Sequence, residues 1–257
     1  MYETSRIAVP DSAFAPVSLG RSASLSSQII AAVREDLFAK RLRPGDVLGT
    51  EKELAARFGV SRIVARDALR TLEALGIAEI RMGKGGGARI ARGNPRLFAE
   101  ALAVQLDLTG VSAAEVLDAQ RAIEVMAAEL AADAATPADH QRLRRLIAEA
   151  EAVMMRDVAA YTRLCRDFHV AVAEASHNRV LVAQLMSLGH ISWPQENPTL
   201  TSEVAQRILD THNTLADFIE RGDSEGARAL MNSHVKMIRT RRVAEHEQAP
   251  AIAKGCC

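Results

Sequence analysis

Three histidines in the second half of the chain have the residue type and spacing of a metal site. His169, His212 and His234 each have apolar neighbours one turn away, so each lies on the apolar face of a different predicted helix. A buried imidazole needs a partner, and helix bundles build metal sites from facing side chains. Cys165, one turn before His169, would supply a fourth ligand. The spacing alone leaves the alternative that these histidines are only hydrogen-bonded within the core.

A second set of residues has the types that bind DNA. Arg62 and Arg66 lie four residues apart on one face of a predicted helix, and arginine can donate two hydrogen bonds to O6 and N7 of guanine. Ser61 would cap this helix and reach a phosphate, and Lys52 would contact the DNA backbone. Because charged residues on a helix more often only face solvent, the assignment depends on the elements around them.

The elements around these residues follow the order of a helix-turn-helix. Thr50 and Glu53 predict a capping box at the start of one helix, and Gly59 ends that helix. Ser61 then caps the next helix, whose first turn carries Arg62. Helix-turn-helix proteins place the start of this second helix in the major groove of DNA.

A glycine-rich turn follows the helix-turn-helix. Two short strands are predicted at Ile77–Ile80 and Ala88–Ala91, and the segment between them contains the run MGKGGG. Gly83 and Lys84 lie in this turn, where a glycine allows close approach to a groove or a phosphate. With a first helix over Ser24–Arg41, the order of elements predicts a winged domain.

Almost the whole chain after a linker at residues 93–96 is predicted to be helical. The predicted fold is mainly α, with an N-terminal winged helix-turn-helix domain (residues 21–92) joined to an all-α bundle of six to seven helices (residues 97–244). Residues 1–20 and 245–257 are expected to be a flexible arm and tail. The predicted helices after the linker are Leu97–Leu106, Ser112–Ala135, Pro137–Met155, Val158–Ala175, Arg179–His190, Thr201–Arg221 and Ser224–Arg242.

The net charge is zero, but it is unevenly distributed along the chain. Residues 21–92 carry 14 Lys/Arg and 8 Asp/Glu, a net +6, whereas residues 93–247 carry 16 and 22, a net −6. This split favours a polyanionic partner for the first domain alone. No apolar run approaches the roughly 18 residues of a membrane span. The 3 cysteines form no disulfide framework, so we expect a cytoplasmic protein without a membrane partner.

A specific run of residues in the first domain is typical of one family. It comprises Pro44-Gly45-Asp46, Glu51, Leu54-Ala55, Val60-Ser61-Arg62, Arg66, Ala68-Leu69 and Leu72. In this run the chain resembles the winged helix-turn-helix domain of the GntR family of bacterial transcription regulators. The resemblance implies that Lys52, Ser61, Arg62, Arg66 and the wing glycine Gly83 contact DNA. The chain departs from the family pattern at Ile63-Val64-Ala65, where a polar–Pro–Val run is commoner, and at Met82, where the residue is often polar.

The segments VLDAQRAIEVMAAELAA, CRDFHVAVAEASHN, THNTLADFIERGD and ARALMNSH lie in the helical part. They resemble the all-helical FCD ligand-binding domain of the FadR-type branch of GntR regulators. In metal-binding members, a carboxylate one turn before the first histidine joins three histidines that match His169, His212 and His234. Cys165 stands at the carboxylate position here. The resemblance implies a divalent metal, Zn²⁺ first and Ni²⁺ or Mn²⁺ as alternatives, since thiolate is a good zinc ligand; weak or absent metal binding is the other reading.

Two further residues are candidates for binding an effector. Arg121 matches an arginine that in this domain type meets the carboxylate of the effector, and arginine suits bidentate recognition of carboxylates. An ion pair with Asp118 or Glu124 is an equal alternative for this residue. For Asn178, capping of the next helix is favoured over contact with a ligand.

These features together predict a ligand-responsive bacterial transcription regulator rather than an enzyme. We expect a homodimer that represses from a pseudo-palindromic operator and responds to a small organic acid, sugar acid or amino acid. One alternative is a metal-dependent enzyme with a DNA-binding appendage, in which the metal would activate water. The other is an architectural DNA-binding dimer without an effector.

Overall fold

The structure is a computed structural model that describes residues 24–81, 83, 86–192 and 200–248. The chain divides into two units between Leu97 and Phe98. The predicted N-terminal arm (residues 1–20), the wing residue Lys84 and residues 249–257 of the predicted tail lie outside the described residues.

The first unit is built from three helices and a small antiparallel sheet in the part of the chain that is described. The elements are α1 (Leu25–Phe38), β1 (Val47–Gly49), α2 (Glu51–Phe58), α3 (Arg62–Ala74), β2 (Ala78–Arg81) and β3 (Gly87–Ile90). The strands lie in the order β1-β3-β2 in the sheet. This is the winged helix-turn-helix that the sequence predicts, with β1 as an additional strand.

The ends of α2 and α3 are fixed by the residues predicted to fix them. The side chain of Thr50 accepts a hydrogen bond from the backbone N–H of Glu53 at 3.3 Å, and the Glu53 carboxylate accepts one from the N–H of Thr50 at 2.7 Å. Gly59 ends α2 with φ +63°, a left-handed conformation that glycine adopts without strain. Ser61 caps α3 by accepting from the N–H of Val64 at 3.3 Å. The turn between α2 and α3 is therefore locally encoded.

The second unit is a helical bundle. Among its described residues the helices are α4 (Pro95–Leu108, which begins before the division), α5 (Ala113–Ala134), α6 (Pro137–Val153), α7 (Val158–Ala175), α8 (Arg179–Ser192), α9 (Ser202–Arg221) and α10 (Ser224–Gln248). These are the helices that the sequence predicts, although α10 continues past its predicted end at Arg242. None of the helices in the described segments is long and apolar enough to cross a membrane.

Helix α5 is the centre of the bundle, and it packs against α7, α8, α9 and α10. Its buried face is rich in alanine, with Ala128 and Ala131 fully buried, so neighbouring helices can approach closely. Exposed ion pairs join neighbouring helices of the bundle. Arg239 on α10 donates to Asp118 on α5 at 2.6 Å, and Arg144 on α6 donates to Glu220 on α9 at 2.7 Å. This packing brings α7, α9 and α10, the helices that carry the three histidines, around one point.

Candidate metal centre and DNA-binding surface

The three predicted histidines converge inside the bundle. His169 on α7, His212 on α9 and His234 on α10 are 3%, 1% and 1% exposed. Each pair of imidazole ring centroids is 5.2 Å apart, so the rings form a triangle of equal sides. One nitrogen of each ring lies within 4.8 Å of a nitrogen of both others. Three imidazole nitrogens gathered in this way are a ligand set for a divalent transition metal.

The hydrogen bonding of the cluster fits a metal. Within the described residues, Nε2 of His212 and both ring nitrogens of His234 are buried without a hydrogen-bond partner. An unsatisfied buried polar atom costs about 1–3 kcal/mol, so such atoms are rare and call for an explanation. A metal ion bound by all three histidines would occupy one nitrogen of each ring.

His169 is oriented by an acid that the sequence analysis did not assign to this site. Its Nδ1 lies 2.8 Å from Oε2 of Glu124 on α5, and both side chains are almost fully buried. Gln120, one turn earlier on α5, donates to Oε1 of Glu124 at 2.7 Å. Nε2 of His169 is then the nitrogen directed to a metal, since ligating histidines commonly bind a carboxylate through the other nitrogen.

Burial keeps His212 and His234 neutral by lowering the pKa of each imidazole. It lowers the pKa of His212 well below its ordinary value, with smaller contributions from His169 and His234. Burial first, then His169 and Arg241, lower the pKa of His234 to about 3. Neutral imidazole is the form whose lone pair binds a metal, so the electrostatics of the cluster agree with its geometry.

Cys165 lies beside the histidine cluster rather than within it. The group of nitrogens within 4.8 Å of one another comprises the three histidines without the Cys165 sulfur. Burial raises the pKa of this thiol to about 11, against the opposing effect of a hydrogen bond with Tyr161. The thiol is therefore protonated at neutral pH, and binding a metal would require loss of that proton. The role of Cys165 as fourth ligand stays a prediction.

A small cavity of about 30 Å³ reaches the histidine cluster. His169 and His234 form one part of its wall, and Arg241 and Arg242 from α10 form another. The hydroxyl of Thr162, also in the wall, is buried and has no hydrogen-bond partner in the described part of the chain. Imidazole, guanidinium and hydroxyl groups thus belong to residues of the cavity wall, and each of these groups can donate a hydrogen bond to an anion.

The two predicted effector residues, Arg121 and Asn178, are not among the residues that line this cavity. Among the described residues Arg121 forms no ion pair, because Asp118 pairs with Arg239 and Glu124 contacts His169. The side chain of Asn178 accepts from the N–H of Val180 at 3.1 Å, as expected of a helix cap. Contact of either residue with an effector stays a prediction.

Three of the six predicted DNA-binding residues lie at the start of α3. Ser61 is its cap, Arg62 is its first residue, and Arg66 follows one turn later; all three are exposed. Lys52 is exposed in the first turn of α2. Gly83 in the wing has φ +98° and open space on the side where a Cβ would stand, so another molecule can approach the backbone closely.

Arg66 forms an ion pair with Glu51, a residue that the sequence did not mark as part of a site. Nε of Arg66 donates to Oε1 of Glu51 at 2.8 Å, and Nη2 donates to Oε2 at 2.9 Å. This pair occupies one edge of the planar guanidinium and leaves the Nη1–Nη2 edge available for an acceptor. The hydrogen bond with Arg66 lowers the pKa of Glu51, so the carboxylate is charged at neutral pH. Glu51 thus links the first turn of α2 to α3.

Comparison with known proteins finds a matching family model for each of the two units. Residues 25–87 match the family described as bacterial regulatory proteins, gntR family, and residues 115–237 match the FCD domain. The chain belongs to the GntR family and carries an FCD domain. It is a DNA-binding transcription regulator of this type, and the names of the family and of its relatives are those of regulators rather than enzymes.

Individual relatives resemble the chain over most of its length. An Escherichia coli (strain K12) protein, named as a regulatory protein of the L-lactate dehydrogenase operon, is 29% identical over 84% of this chain and 85% of its own length. The Uxu operon regulator of Haemophilus influenzae is 29% identical over 77% and 74% of the two chains. The solved structure of Streptococcus agalactiae GntR has the same fold, with a TM-score of 0.63 at 20% identity over 84% and 99%. None of these similarities supports the enzyme or the architectural alternative.

Proposed function

We propose that this regulator is a repressor whose operator binding is controlled by a small carboxylate bound beside a divalent metal in the bundle. The observation that supports the proposal is the cluster of three buried histidines at a cavity that also contains Arg241 and Arg242. A purely structural cluster would be expected to satisfy its nitrogens within the core, whereas three nitrogens of this cluster have no partner among the described residues.

The histidine cluster and the cavity wall would have separate roles in binding. His169, His212 and His234 would hold the ion, and Glu124 keeps His169 in the required orientation. A bound divalent metal would supply a positive charge for one oxygen of a carboxylate. Arg241 or Arg242, which line the cavity, would pair with the other oxygen, and the Thr162 hydroxyl would donate to a further oxygen of the effector.

The effector is inferred to be a small acid, because the cavity of about 30 Å³ has room for few atoms. The name of the E. coli relative refers to an L-lactate dehydrogenase operon, so L-lactate is the first α-hydroxy acid to test. Other organic acids, sugar acids and amino acids complete the panel.

On the DNA side, we propose that two copies of the chain bind a pseudo-palindromic operator in the cytoplasm. The first turn of α3 enters the major groove of each half-site, and the wing approaches the neighbouring phosphates. The basic first domain is consistent with this role, and operator affinity should fall steeply with salt.

The metal and the effector can be tested on the purified full-length chain. We expect elemental analysis to find close to one Zn²⁺, Ni²⁺ or Mn²⁺ per chain, and at least one acid to raise the melting temperature of the loaded protein. The variant His212→Ala should lose both, whereas His177→Ala, which changes a half-exposed histidine of the same unit, should lose neither. A metal-free protein that binds no metal on titration would contradict the proposal.

A further inference from the structure

The second residue of α3 is a large apolar side chain in solvent. Ile63 is 78% exposed. It follows Arg62 in the first turn of α3 and precedes Arg66 by three residues. Single exposed apolar residues are common on protein surfaces and need no explanation in general. Ile63 is a candidate for contact with DNA because of its position, since the first turn of a recognition helix contacts base edges.

Helical geometry places Ile63 on the outer face of α3. At about 100° per residue, its direction is nearly opposite to the buried stripe formed by Ala65, Ala68, Leu69 and Leu72. Arg66 and Arg70 project from the same outer half of the helix, and both are exposed. Ile63 is therefore an apolar group among arginines, on the side of α3 that the core does not use.

The major groove contains one apolar group to match this side chain. Of the four bases, only thymine presents a methyl group there, at C5, and apolar side chains discriminate thymine by contact with it. The remaining groups of the major-groove edges are hydrogen-bond donors and acceptors, which an isoleucine cannot satisfy.

We infer that Ile63 is a specificity-determining residue that reads the C5-methyl group of a thymine in each operator half-site. The inference rests on the proposed docking of α3 in the major groove. Side chains three residues apart on a helix have Cβ atoms about 5–6 Å apart. One base pair corresponds to about 3.4 Å along the duplex. The thymine read by Ile63 therefore lies within one or two base pairs of the guanine read by Arg66.

The test uses the full-length chain and a duplex that it selects from a randomised library. Each thymine of the selected half-site is replaced in turn by deoxyuridine, which removes only the methyl group, and the dissociation constants are measured. We expect one replacement to weaken binding by the wild type about fourfold, the change that corresponds to roughly 0.8 kcal/mol for one buried methyl-sized group.

The protein variants assign that methyl group to Ile63. Ile63→Ala should bind the thymine and deoxyuridine duplexes equally, whereas Ile63→Val should keep part of the preference. Leu75→Ala, a change of another exposed apolar residue at the far end of α3, should keep all of it. Because Ile63 is exposed, none of its substitutions should affect folding.

The outcomes separate this inference from the proposed function. If no duplex is selected, or if Arg66→Ala leaves the selected site fully recognised, the docking of α3 itself is wrong. If the duplex depends on Arg66 but no thymine within two base pairs of the Arg66-dependent guanine is sensitive to methyl removal, the role of Ile63 is overturned. Equal thymine preference in Ile63→Ala and wild type would also overturn it.

Discussion

Arg66 has to be considered together with Glu51, because two hydrogen bonds join their side chains. An arginine side chain is long and loses much rotamer freedom when it binds a base. The Glu51 carboxylate restrains the guanidinium plane and leaves the Nη1–Nη2 edge to donate to another acceptor. We therefore propose that Glu51, the first residue of α2, positions Arg66 for contact with a base.

Replacement of Glu51 by glutamine tests this role. By charge alone, removal of an acidic group near phosphates should strengthen DNA binding. Positioning predicts the reverse: Glu51→Gln should weaken operator binding about twofold to tenfold, the equivalent of one hydrogen bond of roughly 0.5–1.5 kcal/mol. Affinity titrations against Glu73→Gln, which removes the same charge from the end of α3, provide the control. If Glu51→Gln binds the operator more tightly than the wild type, Glu51 does not position Arg66 for DNA binding.

Cys165 is the residue at which the metal site departs from the expected ligand set. If its thiolate binds, Co²⁺-loaded protein should show a sulfur-to-metal charge-transfer band in the near ultraviolet, which Cys165→Ser lacks. Cys165→Asp, which restores a carboxylate, should raise the affinity for Mn²⁺ relative to Zn²⁺, since carboxylate suits harder ions. A Co²⁺ spectrum without that band in the wild type would assign the site to the three histidines alone.

Single residues differ in how far the sequence reveals them. His169, His212 and His234 could be predicted because each interrupts the apolar face of its own helix, a local pattern. Glu124 interrupts α5 in the same way, but its partner lies 45 residues away on α7. Glu51 and Arg66 are likewise brought together only by the packing of α2 against α3. Residues whose role depends on a distant partner need the folded structure.

Among the elements, α3 depends on its cap. Ser61→Ala should lower the free energy of unfolding of the first unit by about 1 kcal/mol, because the N–H of Val64 loses its acceptor. Urea denaturation measures this change. Ser61→Asp should retain the stability, since aspartate also caps helices.

The variant Ser61→Asp also tests whether the start of α3 faces the DNA backbone. The carboxylate of Ser61→Asp would stand near the phosphates, so we expect weaker operator binding with unchanged stability. Operator binding as tight as that of the wild type would mean that the start of α3 does not face the DNA backbone.

The success of element prediction follows from the same caps. The starts of α2, α3, α5, α6 and α9 carry side-chain caps that are visible in the sequence, and their predicted boundaries agree with the structure within two residues. Strand β1 could not be predicted, because three residues are too few to show alternation. It exists since Val47 and Gly49 pair with β3 and Leu48 between them is fully buried. Strand β1 is therefore stabilised by contacts with residues that are distant in the sequence.

The whole molecule combines a DNA-binding domain with an FCD domain in one chain. A ligand changes operator affinity only if it binds the DNA-competent and the DNA-incompetent states differently. Such coupling is typically 5- to 150-fold, about 1–3 kcal/mol, and it is reciprocal, so operator DNA should change the affinity for the acid by the same factor.

The most direct test is the dissociation constant for the selected operator, measured with metal-loaded full-length protein at fixed salt, with and without each acid of the panel. We expect at least one small carboxylate to weaken operator binding by about fivefold or more. We also expect His212→Ala to bind the same operator without responding to that acid, whereas His177→Ala should respond fully. If no acid changes the operator affinity, or if His212→Ala and the wild type respond equally, the cluster of His169, His212 and His234 does not control operator binding.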